Sequence, residues 1–85
     1  MKALRSPAAR AVAAVIAAVR KDADLTQREL ALRLKRPHSV VGMIESNQRQ
    51  VNVPEFIAIA EALGTDPADL FRQVCANMKD GSKRR

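Results

Sequence analysis

The sequence predicts an all-α domain, a compact bundle of five short helices with no strands. Three observations predict it. Apolar residues recur at i, i+3, i+4 and i+7 in successive stretches, the spacing of one helix face. Helix-start signals precede most of these stretches: Ser6-Pro7, Thr26 with Glu29, Asn52 with Pro54, and Asp66-Pro67. The 85 residues are 47% hydrophobic but only 2% aromatic, so the core must be Ala, Val, Ile and Leu.

Residues 1–6, with Lys2 and Arg5, carry no period and are expected to form a flexible basic arm. Ser6 caps a first helix over about residues 7–21, with Val12, Val15, Ile16 and Val19 as its stripe. Thr26-Gln27-Arg28-Glu29 matches a capping box, in which hydroxyl and carboxylate each take the other's backbone N–H. It opens a second helix over about 26–34, burying Leu30, Ala31 and Leu34. Pro37 disfavours the α region at Arg36 and ends it. Pro is tolerated in a first turn, so a third helix follows over about 38–46, with Val41 and Ile44 inward and Asn47 as a left-handed stop. A fourth helix over about 53–63 has Phe56, Ile57, Ala60 and Leu63 as its stripe and is closed by Gly64. A fifth over about 67–78 carries Leu70, Phe71, Val74 and Met78. Residues 79–85, KDGSKRR, are expected to be a disordered basic tail.

A domain of this length buries only about 60–65% of its unfolded surface, leaving little room for an enclosed active site. The net charge of +6 favours a polyanionic partner. With one cysteine, Cys75, and one histidine, His38, neither an intrachain disulfide nor a multi-ligand Cys/His metal site can form. Cys75 reads as a small core or interface residue. No metal or cofactor is expected. The apolar run at residues 11–19 is too short to span a membrane.

The second and third helices are joined by about three or four residues, the connection of a helix-turn-helix. LTQRELALRL-KRP-HSVVGMIES, residues 25–46, resembles the helix-turn-helix of the lambda-repressor/Cro type, also called the xenobiotic-response-element family. The resemblance runs on through QRQVNVPEFIAIAEALGTDPADLF, residues 48–71. Gln27, Ala31, Val41, Ile44, Glu45 and the AEALG stretch match together. Two positions depart. Lys35 stands where the family usually has Gly, so either Lys35 is left-handed or the turn is altered. Pro37 stands where a small capping residue is usual.

The resemblance implies a sequence-specific double-stranded DNA-binding regulator with the third helix in the major groove. That assigns His38, Ser39, Gly42, Met43 and Ser46 to the DNA-facing side. Ser39 can bond a base edge or phosphate, and Met43 can pack on a thymine methyl. Gly42 costs about 1 kcal/mol of helix propensity against Ala, a cost that close approach of the backbone to DNA would explain. Gln27, Asn47, Gln48, Arg49 and Gln50 are expected to touch the phosphate backbone, with Arg28 and Arg36 adding charge. The reading helix has no Arg aimed at guanine, so DNA shape is expected to carry part of the specificity.

The family pairs two copies on a palindrome with recognition helices about 34 Å apart. A homodimer interface is expected at Val51, Val53, Leu70, Phe71, Val74 and Met78. The stretch IESNQRQVNVPEF is most similar to restriction–modification controllers and phage-type regulators. Activating relatives often carry acidic residues on the exposed side of the second helix, where this chain has Arg28 and Leu32. Repression, of its own promoter, is therefore the first expectation. A controller-type activator contacting RNA polymerase and an antitoxin neutralising a partner protein are the alternatives. The setting implied is bacterial or phage, cytoplasmic and nucleoid-associated.

Other functions are disfavoured. No Ser/His/Asp set, Gly-rich phosphate loop or paired-carboxylate motif suggests an enzyme. The first helix is too Ala-rich for membrane binding. Single-strand stacking needs exposed aromatics, whereas Phe56 and Phe71 are both expected to face inward.

Overall fold

The computed structural model describes residues 6–83, with side-chain environments through Lys79. Of the basic arm expected at residues 1–6, residues 1–5, with Lys2 and Arg5, lie outside that range, as do the last two residues, while Ser6 is the cap of the first helix. Five helices follow in order: α1 (Pro7–Asp22), α2 (Gln27–Leu34), α3 (Ser39–Glu45), α4 (Val53–Ala62) and α5 (Pro67–Lys83).

Four of the five starts carry a side-chain cap; α3 has none. The Ser6 hydroxyl accepts the Ala9 N–H at 3.1 Å. The capping box of α2 closes both ways: Thr26 Oγ1 accepts the Glu29 N–H at 3.0 Å, and Glu29 Oε1 accepts the Thr26 N–H at 2.8 Å. The Thr26 backbone N–H first, and the Thr26 hydroxyl second, hold the Glu29 carboxyl below its ordinary pKa. Asn52 Oδ1 accepts the Glu55 N–H at 2.8 Å to open α4, and Asp66 Oδ1 accepts the Ala68 N–H at 2.7 Å to open α5.

The ends rely on left-handed residues. Lys35 caps α2 at φ 57°, ψ 43°, so the family's usual turn is kept without its glycine. The left-handed region costs a residue with a Cβ about 1–2 kcal/mol. Asn47 at φ 63° ends α3, and Gly64 at φ 73° follows α4, both as the sequence suggested. Asp24, also left-handed at φ 59°, went unforeseen. Pro37 does not disturb the turn, because its carbonyl accepts the Val40 N–H at 3.0 Å and starts α3 directly.

Two apolar clusters form one continuous core. The first joins Ile16 of α1 to Leu30, Ala31, Val40, Val41, Ile44, Ile59 and Leu63. The second sets Ala11, Val15 and Ala60 against Leu70 and Val74 of α5. Val12 and Val19 pack on both. Buried Leu and Ile side chains each contribute about 1.5–3 kcal/mol, so this aliphatic set suffices without aromatics.

Several expectations need correction. The helix continues through Lys83, so residues 79–83 are not the loose tail expected. Once Leu70 and Val74 anchor α5, each added residue gains a backbone bond at little cost. In α4 the buried isoleucine is Ile59, while Ile57 is 41% exposed. Leu70 (0% exposed) and Val74 (3%) belong to the intrachain core, not to a dimer interface. Phe71 is 58% exposed rather than inward. It sits one residue past Leu70, a rotation of about 100°, and meets half-buried Phe56 edge-to-face at 6.4 Å. Cys75 is exposed, not core.

Candidate nucleic-acid interface

The candidate surface begins with how α3 is seated. Val40, Val41 and Ile44 bury one side of it. Its last residue, Glu45, is bolted to two other helices. Arg20 of α1 donates from Nε to Glu45 Oε2 at 2.6 Å and from Nη2 to Oε1 at 3.0 Å. Arg20 Nη1 also donates to the Leu25 carbonyl at 2.7 Å. Gln27, the first residue of α2, donates from Nε2 to Glu45 Oε1 at 2.9 Å. Both partners of the ion pair are over nine-tenths buried. The bond to Glu45 raises the Arg20 pKa above its ordinary value, against the opposing effect of burial. Two-pronged contacts of this kind fix orientation as well as adding energy. The network therefore sets the angle at which α3 leaves the bundle.

Sequence reasoning matched Glu45 to the family but missed its partner. The signal was present. Arg20 continues the Val12–Ile16 column of α1 at four-residue steps, and Glu45 continues Val41 on α3. Two opposite charges on inward columns point to a buried pair.

Of the residues assigned to DNA, His38, Ser39 and Ser46 are exposed on α3 or at its ends. Gly42 and Met43 are half-buried, and Met43 packs against the core edge, so its expected outward position is only partly kept. The Gln27 amide lies over Gly42: a Cβ there would come within 3.4 Å of Gln27 Oε1. Because Gln27 Nε2 is engaged by Glu45, the side chain presents its carbonyl oxygen at this edge.

The flanking residues form two groups. Gln48 donates from Nε2 to Ser46 Oγ at 2.9 Å, and that hydroxyl bonds the Met43 carbonyl at 3.3 Å. Arg49 and Arg36 turn to Glu55, the first at 2.6 Å and the second at 3.9 Å. Arg28 and Gln50 are exposed, while Asn47 is half-buried.

The helix pair α2–α3, joined through a left-handed Lys35 and a short Pro37 turn, is a helix-turn-helix. A family model described as Helix-turn-helix matches residues 16–70, more than half of the chain. The chain belongs to the helix-turn-helix family of the Cro/C1 type. That makes it a DNA-binding protein of the transcription-regulator class. A solved XRE-family-like protein from Pseudomonas syringae pv. tomato str. DC3000 is 35% identical over 88% of this chain and 92% of its own, with a TM-score of 0.78. The clp gene regulator ClgR from Corynebacterium glutamicum shares the fold at 22% identity and a TM-score of 0.84, over 91% of this chain and 82% of its own. A variant of the restriction–modification controller protein C.Esp1396I does so at 22% identity and a TM-score of 0.82, over 86% and 97%. No curated protein matches the chain significantly. Among the described residues of this helix-turn-helix protein, no helix is long and apolar enough to cross a membrane, and no cluster of side chains could hold a metal ion.

Proposed function

We propose that the protein is a sequence-specific repressor that binds a palindromic operator as a homodimer, with α3 in the major groove. One observation carries this reading: α3 is locked from behind by Arg20, Gln27 and Glu45, while His38, Ser39 and Ser46 stay exposed on it. A locked helix with a small polar outer face suits reading base edges. The net charge of +6 supplies the phosphate attraction.

The dimer half of the proposal rests on an apolar groove of ≈ 450 Å³ that includes Val51, Val53, Phe56, Ile57 and Phe71. Val53 is 72% exposed and Phe71 58%. Exposed apolar side chains gathered in one place are unusual on a monomer. A second copy related by a two-fold axis would bury them against their own equivalents. Repression is favoured over activation because the outer side of α2 offers Arg28 and a 71%-exposed Leu32. The acidic residue there, Glu29, is taken up by the capping box.

The test is a salt-titrated binding assay on a duplex selected by the protein from a randomised library, against scrambled duplex of equal length. Tight binding to the selected duplex alone, weakened by Ser39→Ala and Met43→Ala, is expected. Equal weak binding to both duplexes, indifferent to those substitutions, would leave only a generic basic surface.

A further inference from the structure

Outside the Arg20–Glu45 network, the described part of the molecule holds one other buried acid with basic partners. Glu55 stands in the first turn of α4, with its side chain only 8% exposed. Its Oε2 accepts from Arg49 Nη2 at 2.6 Å and lies 3.9 Å from Arg36 Nη2. Arg36 belongs to the turn just before α3, and Arg49 to the loop just after it. One carboxylate thus gathers the two chain segments that bracket the reading helix.

The arginines are not consumed by this contact. Arg36 keeps 51% of its side chain exposed and Arg49 36%. Glu55 Oε1 and Arg49 Nε are both buried without a hydrogen-bond partner. The pair is therefore held by one corner rather than closed as a fork. A contact serving stability alone would gain by closing it. Two guanidinium groups sharing one carboxylate leave a net positive charge at the site, and the two cations would spread apart without the acid between them.

Resting on the DNA-binding reading above, we infer that Glu55 is a positioning residue for operator binding. It holds Arg36 and Arg49 at fixed places on either side of α3, where each can meet a DNA phosphate and so set the register of the reading helix. Phosphate contacts carry no sequence information, but they orient the groups that do. The inference opposes the simple electrostatic expectation. Removing a negative charge from a DNA-binding surface should tighten binding to any duplex. If Glu55 positions the arginines, its loss tightens binding to unselected DNA and weakens binding to the selected site.

The experiment compares wild type, Glu55→Gln, Arg49→Lys and the double variant on the selected duplex and on a scrambled one. Circular dichroism and thermal melting report folding in each case. Wild type prefers the selected duplex. Glu55→Gln should lose about tenfold affinity for it, while binding scrambled duplex as well as wild type or better. Arg49→Lys keeps the charge but loses the planar fork, and should weaken selected binding similarly. The double variant should be no worse than either single change, because both break one unit. Equal losses on both duplexes, no loss on either, or losses that multiply in the double variant would overturn the assignment while leaving the DNA-binding reading intact. If Glu55→Gln does not fold, Arg49→Lys alone decides: an unchanged preference for the selected duplex overturns it. Absence of any preference in the wild type would sink the reading itself, and Glu55 with it.

Discussion

Gly42 costs α3 about 1 kcal/mol against Ala in helix propensity. Packing inside the chain does not demand the glycine. The nearest atom to an added Cβ would be Gln27 Oε1 at 3.4 Å, the far end of a flexible side chain. Its φ is not in the left-handed region either. Gly42→Ala should therefore stabilise the protein by about 0.5–1 kcal/mol in a denaturant titration. The same change should weaken selected-duplex binding, because the added methyl lies on the outer side of α3. A variant both more stable and an equally good binder would show that the glycine serves neither packing nor DNA. The residue scale also marks where sequence reasoning stops. Gly42 could be singled out from helix propensity alone. Arg20 and Glu45 each mark themselves by standing on an inward column, but the pair spans 25 positions and the bond between them is a product of long-range packing.

At the scale of single helices, the capping box of α2 makes a pH prediction. Glu29 has its carboxyl held below the ordinary value by the Thr26 N–H and hydroxyl. Its folded pKa thus lies below its unfolded one. The stabilisation is fully present above the unfolded value, about 4.3. It is lost as pH falls from there through the folded value. Stability curves from pH 7 to pH 2 should show this acid loss in wild type and a shallower one in Glu29→Gln. Parallel curves would mean the carboxylate is not linked to folding. At the other end of α2, Lys35→Gly should stabilise the protein by about 1 kcal/mol by removing the left-handed penalty, net of the entropy glycine adds to the unfolded chain. Thermal melting measures it, and a lower Tm would mean the lysine side chain makes a compensating contribution. These termini were legible in the sequence because caps are local chemistry. The inward face of α4 was less so. Phe56, Ile57 and Ile59 offer two apolar columns, and only the packing partners decide that Ile59 turns in and Ile57 out. The length of α5 was hidden for a related reason: residues 79–83, KDGSK, offer no apolar period in the sequence to reveal them.

For the molecule as a whole, the core is complete without Val53, Ile57 and Phe71, yet these three stay in water. The sequence reading assigned Leu70 and Val74 to a dimer interface, but both are buried within the chain, since an apolar stripe on a terminal helix does not say which half meets its own chain. The exposed set gives the sharper test. Val53 is the first residue of α4, where an acid complements the helix dipole. Val53→Glu should leave folding intact and place a charge in the groove. Phe71→Glu should cost more stability, because it removes the edge-to-face contact with Phe56, a pair worth about 0.5–1.5 kcal/mol. Both should shift the protein to monomer in sedimentation equilibrium across a concentration series. Both should then bind a full palindrome no better than a half-site. Avidity from a second reading helix amounts to about 10²-fold or more, so the loss on the palindrome should far exceed any loss on the half-site. If both variants stay dimeric, the two-fold contact lies elsewhere. If wild type is itself monomeric at micromolar concentration but pairs on the palindrome, the same groove acts only when DNA has brought two copies together, and the variants should then abolish that cooperativity while half-site affinity stays near wild type.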